Sequence, residues 1–272
     1  VYIASITAFW SQIGNPTYTD YEFEASSDSY ATILAYTTRL TQATVIASSN
    51  VVYAMRVRAV NGNSLKTSWQ SFNSTRTLAA PVLPESPSIT SVAMTSATLT
   101  WLGNGNPGGT QFRLNVSTYS DFSISSQTTL WITETSTIAY NLAPGNTYYF
   151  RVQARNGDNI ETYYVSMGST RTRFAAPSVT LNAWPVEITS AAYRWTDAAN
   201  IQPDKRFEVL VSSDNFGSVI LSSNTGVFAS TFTTLSANVA GRRISGCFAS
   251  PEKDRARRSS PHALRAHGAD GP

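Results

Sequence analysis

From Tyr148 to Arg155 apolar and polar side chains alternate. Tyr148, Phe150, Val152 and Ala154 share one face, and Tyr149, Arg151, Gln153 and Arg155 the other. A period of two predicts a half-buried strand. Pro144-Gly145 before it and Asn156-Gly157 after it are turn chemistry. A degenerate copy, Tyr53 to Val60 followed by Asn61-Gly62, lies upstream in the same phase.

The pattern recurs along the chain. Trp10, Trp101 and Trp195 each end a short strand-like run: Ile6 to Trp10, Ala97 to Trp101 and Ala191 to Trp195. A loop follows each, then a second alternating run: Tyr21 to Ser26, Phe112 to Ser117 and Phe207 to Ser212. Ser74-Thr75-Arg76-Thr77 returns as Ser169-Thr170-Arg171-Thr172, and each leads to an Ala-Ala-Pro, ending at Pro81 and Pro177. A period of roughly 95 residues is too long for a solenoid unit and fits a complete domain with its own core. The linkers are short and contain proline, which limits swivelling and predicts a semi-extended rod.

The middle copy predicts seven strands: 89–92, 97–101, 111–117, 128–132, 137–141, 148–155 and 163–172. That count fits a two-sheet sandwich. Its inward positions are Leu99, Trp101, Phe112, Leu114, Val116, Phe150 and Val152. Trp10, Tyr53, Tyr148 and Trp195 complete the expected structural core.

The order Trp101, then Phe112-x-Leu114-x-Val116, then Leu142-Ala143-Pro144-Gly145-Asn146-Thr147-Tyr148-x-Phe150-x-Val152, resembles the fibronectin type III module. The resemblance covers about residues 1–239. It implies that Tyr148 is a corner tyrosine whose hydroxyl bonds back to nearby backbone. It also implies an all-β chain of tandem immunoglobulin-like sandwiches over 1–77, 78–172 and 173–239, the last copy incomplete. The first copy lacks its initial strand and has Ser48-Ser49-Asn50 in place of Pro-Gly, so it reads as truncated at its N-terminus. The third follows the pattern to Asn238 and then loses it: the corner tyrosine and the sixth and seventh strands are not found, and the last tyrosine of the chain is Tyr193.

Composition separates the remaining 240–272. This segment holds seven Lys/Arg and three Asp/Glu, a net of +4, whereas 1–239 carries thirteen basic and fourteen acidic residues, a net of −1. The body has no basic footprint for nucleic acid. The tail reads as basic and disordered. Because the break falls inside a domain core and not at a linker, a mis-joined or out-of-frame end is favoured over a natural extension. The only cysteine, Cys247, and both histidines, His262 and His267, lie there. No internal disulfide can form, and residues 1–239 have no Ser-His or Cys-His pair for nucleophilic catalysis and no zinc ligands of N or S type.

Other motifs have structural explanations. Gly103-Asn104-Gly105-Asn106-Pro107-Gly108 matches a dinucleotide fingerprint literally, but a strand follows it where a helix is required. Glu22 and Glu24 share one strand face opposite inward Tyr21, Phe23 and Ala25, and read as a solvated outer face. Trp69, Trp131, Tyr149, Tyr163 and Tyr164 are candidates for a sugar-stacking strip, with cross-strand pairing the commoner explanation. Asn73 and Asn115 head glycosylation-type tripeptides. Arg155-Asn156-Gly157-Asp158 sits where some animal family members carry an Arg-Gly-Asp integrin motif, and the inserted Asn breaks it. No catalytic, cofactor or metal residue is expected, and no apolar run is long enough for a membrane span.

The expected role is a non-enzymatic spacer and protein-interaction or adhesion module of a larger secreted or cell-surface protein, located extracellularly or at the cell surface. Its protein or polysaccharide ligand is not readable from the sequence. The alternative is an accessory region of a secreted glycan-degrading enzyme.

Overall fold

The computed structural model describes residues 1–176 except Ser126. Beyond them it describes Phe207, Phe216 and the backbone of the strands named below. The first copy contains β1 (Ser5–Phe9), β2 (Asp20–Ser26), β3 (Leu34–Thr38), β4 (Gln42–Ile46), β5 (Val52–Val60), β6 (Gln70–Ser71) and β7 (Thr75–Arg76). The second contains β8 (Leu83–Val92), β9 (Ala97–Leu102), β10 (Gln111–Ser117), β11 (Gln127–Thr128), β12 (Ser136–Ala139), β13 (Thr147–Arg155) and β14 (Val165–Arg171). The third contains β15 (Ser178–Val179), β16 (Ser190–Tyr193), β17 (Trp195–Thr196), β18 (Glu208–Ser212), β19 (Leu221–Asn224), β20 (Thr233–Ser236) and β21 (Ser245–Ala249). The described residues contain no helix. The chain is all-β, a tandem of immunoglobulin-like sandwiches.

The sheet orders repeat. In the first copy β1 pairs with β4, and the other sheet runs β3-β2-β5-β6, with β7 also on β5. In the second copy the orders are β12-β9-β8 and β11-β10-β13-β14. The pairs β1–β4, β2–β3, β2–β5, β10–β11 and β10–β13 are antiparallel, with Phe112 opposite Ala154 and Leu114 opposite Val152. β8 holds Pro84 and Pro87 at the edge of its sheet, where a missing N–H breaks no ladder.

All seven strands anticipated for the middle copy are present. The fourth is shorter than its apolar pattern: β11 ends at Thr128, and pairing resumes only in a bridge between Phe112 and Ile132. Leu130, between them, is exposed.

The described residues divide into two compact units. One comprises Val1–Ser91, Thr98–Ile138 and Tyr148–Ser169; the other comprises Val92–Ala97, Ala139–Thr147 and the described residues from Thr170 onward. Within the first unit, the alternation of β2 and β5 buries Tyr21, Phe23, Ala25, Tyr53, Met55 and Val57 against Ile6, Ala8, Ala43 and Val45. In the same unit Leu99, Trp101, Phe112, Leu114, Val116, Tyr148, Phe150 and Val152 are all at most 5% exposed. Such burial contributes roughly 1.5–3 kcal/mol for each large side chain. Trp10 differs from its counterpart Trp101. It follows β1, stacks on Phe23 at 6.1 Å and is only partly buried.

The third copy corrects one expectation. The sheet β19-β18-β21 repeats the order β3-β2-β5 and β11-β10-β13. Residues Ser245–Ala249, inside the segment read as a basic tail, thus form a strand at the place of the sixth, with Leu210 opposite Cys247. The run Ser245-Gly246-Cys247-Phe248-Ala249 is uncharged and includes Phe248, a residue type that suits a strand. The side chain of Trp195 lies outside the described residues, as does most of 240–272.

Candidate functional site

The first and second copies each close one end with a corner built on a threonine. Thr77 Oγ1 donates to the Ser48 carbonyl at 2.7 Å and accepts from the Val51 amide at 2.9 Å. Thr172 Oγ1 does the same with Ala143 at 2.6 Å and Asn146 at 3.0 Å. The turn needs a left-handed residue, which Asn50 supplies at φ 53° and Gly145 at φ 66°. Asn and Gly are the residue types that tolerate that region. Ser48-Ser49-Asn50 is therefore a working substitute for Pro-Gly. Tyr53 acts as the corner tyrosine of the first copy: its hydroxyl accepts from the Ser48 amide at 2.9 Å.

The corner and linker of the first copy are held by two loops of the second. The loop between β9 and β10 supplies Asn106, whose side chain accepts from the Ala80 amide at 2.8 Å and donates to the Ala80 carbonyl at 2.7 Å. Asn104 Nδ2 donates to the Pro81 carbonyl at 2.8 Å. Asn50 Nδ2 donates to Thr110 Oγ1 at 2.8 Å, and Asn50 Oδ1 accepts from the Gly157 amide at 3.0 Å. Asn156 Nδ2 reaches the Thr77 carbonyl at 3.3 Å, and Arg76 pairs with Asp158 at 3.3 Å. Ala79, Ala80 and Asn50 are buried here. The Gly-x-Gly-x-x-Gly loop is thus an inter-strand loop, as its context predicts, with its asparagines directed at the linker.

The outer sheet face is an array of cations and rings. Arg56 lies 3.9 Å from the Tyr30 ring and 4.4 Å from Trp69; Arg151 lies 4.0 Å from Phe122 and 4.2 Å from Tyr164. Arg113 and Arg155 each stack on Trp131 at 4.4 Å. Glu22 and Glu24 stand opposite Arg58 and Arg56 in the ladder and pair with them at 2.6 Å. They are therefore half-buried partners and not the solvated face the sequence suggested. Lys66 also pairs with Glu22, at 2.8 Å, and holds its carboxyl below the usual value. At the equivalent position of the second copy the charges are exchanged: Arg113 faces Glu161 at 3.3 Å. Of the suggested sugar-stacking strip, Trp69, Trp131 and Tyr164 are covered by guanidinium groups, and Tyr163 is exposed.

Asn115 is buried and donates to Ser125, Gln127 and Thr128, which removes it as a glycan acceptor. Asn73 is exposed. Among the described residues no group of three or more His, Cys, Asp or Glu is placed to hold a metal, and no helix is long and apolar enough to cross a membrane.

Comparison with known proteins gives one family: residues 83–165 match the model of the fibronectin type III domain. No curated protein matches the chain. Among solved structures, the FN1–FN3 segment of chicken CNTN1 has 11% identity and a TM-score of 0.32, covering 98% of this chain and 94% of that one. A two-domain fibronectin type III segment from chicken tenascin has 15% identity and a TM-score of 0.43, covering 69% of this chain and all of that one. The part of the chain that is similar to the fibronectin type III domain, residues 83–165, lies within the second copy of the repeat.

Proposed function

We propose that this protein is a non-catalytic spacer and interaction region of a larger secreted or cell-surface protein, with successive sandwiches over 1–77, 78–172 and from 173 onward, the third including β21. The supporting observation is the joint between the first two copies. Asn106 satisfies both backbone polar groups of Ala80, and Asn50 bridges Thr110 and Gly157. Each such bond contributes on the order of 1 kcal/mol, and together they favour a fixed joint over a free hinge. A fixed joint suits display of loops and sheet edges at set spacing. Backbone relaxation by NMR tests this: the first two copies tumble with one correlation time, and Asn50→Ala with Asn106→Ala separates them. Independent tumbling of the unaltered pair would overturn the reading. Binding screens against matrix proteins and polysaccharides address the partner, and specific polysaccharide binding would favour an accessory region of a glycan-degrading enzyme.

A further inference from the structure

The two loops by which the second copy holds the first are duplicated on the first copy. Ninety-one residues separate Asn15-Pro16 and Thr19 from Asn106-Pro107 and Thr110, and ninety-five separate Asn61-Gly62 from Asn156-Gly157. Their backbones fold alike. The Asn15 and Asn106 amides bond back to Gln12 and Gly103, and the Thr19 and Thr110 amides to Pro16 and Pro107. Asn61 and Asn156 each receive the amide two residues on through Oδ1 at 3.0 Å. Ser64 and Asn159 share the same left-handed φ of 63°.

The two loop pairs differ in what faces them. A Cβ on Gly157 would stand 2.6 Å from the Arg76 guanidinium of the first copy, whereas one on Gly62 meets nothing within 4 Å. Asn15, Pro16, Thr19 and Gly62 instead border an open cavity of about 370 Å³, rimmed by exposed Tyr18 and Leu65.

We infer that this end of the first copy is a socket for the corner and linker of another sandwich of the same repeat. Asn15 would take the two backbone groups of its Ala-Ala-Pro linker, and Thr19 and the Gly62 amide would take the Asn at its left-handed corner position. The socket is not identical to its counterpart. Ile13 replaces Asn104 and Asn63 replaces Asp158, so the incoming linker meets an apolar side chain at the Pro81 position, and an incoming arginine meets a neutral amide. The inference rests on the joint reading above.

The test is an extended chain in which residues 1–91 precede Val1, with amide exchange followed by NMR. Joining the two sandwiches on one chain gives the incoming end a high effective concentration. The expected result is at least tenfold slower exchange of the Gly62 amide than in the parent chain, reversed by Asn15→Ala. The Gly157 amide in the same molecule reports that the extended chain is folded. Unchanged Gly62 exchange beside a protected Gly157 overturns the inference, as does equal slowing when only residues 83–91 precede Val1. If Asn106→Ala in the parent chain leaves Gly157 exchange unaltered, the joint reading itself fails.

Discussion

Asn50 and Thr110, sixty residues apart, share a buried 2.8 Å hydrogen bond that joins the corner of one sandwich to a loop of the next. The geometry needs two properties of one side chain: tolerance of φ 53° and an amide that donates to Thr110 while accepting from Gly157.

Replacing Asn50 separates those properties. Asn50→Gly keeps the backbone and loses two bonds, which costs about 1–3 kcal/mol. Asn50→Ala adds the left-handed penalty of about 1–2 kcal/mol. Urea unfolding followed by circular dichroism ranks the two, with Ala the less stable.

The two strand-end tryptophans are unequal. Trp101 is 1% exposed and packs edge-on to Phe112 at 6.0 Å. Trp101→Ala costs about 3–5 kcal/mol, enough to unfold a marginal domain. Trp10 is partly buried, so Trp10→Ala costs less. Thermal unfolding of the two variants shows the difference.

Two glycines predict opposite outcomes. Gly145 sits at φ 66°, and an added Cβ would clash with the Phe174 ring. Gly145→Ala should cost upward of about 1 kcal/mol. Gly62 has open space around it, and Gly62→Ala should be neutral to within about 0.5 kcal/mol. Denaturation midpoints distinguish them.

Glu22 gives the outer face a pH dependence. The hydrogen bond from Lys66 lowers its pKa from the usual 4.5, burial opposes that, and Arg58 lowers it further. A lowered folded pKa means the stabilisation is present above about 4.5 and is lost as pH falls through the folded value. Glu22→Gln should flatten this acid limb in unfolding curves measured between about pH 5 and pH 2.

How far the sequence revealed these features follows the range of the interactions. Strand positions such as Leu114 and Val152 were legible because alternation is local and one face is dry. The corner at Asn50 was legible only in part, since Ser-Ser-Asn and Pro-Gly differ in residue type but solve the same backbone problem. Glu22 and Glu24 were misread because a strand pattern gives the face of a side chain but not the arginines opposite it. The strand at Ser245–Ala249 was hidden by averaging charge over an Arg-rich segment. The joint was not read at all, although the recurrence of Asn15-Pro16 as Asn106-Pro107 was a usable signal. Its contacts exist only once two sandwiches meet.

The two bonds from Asn106 to Ala80 have a consequence for cleavage. Proteases bind their substrates as extended strands through backbone N–H and C=O groups. Ala80 presents neither, both being occupied, and Ala79 and Ala80 are buried. A linker that looks like an open peptide in the sequence is therefore closed to nicking while the two sandwiches remain docked.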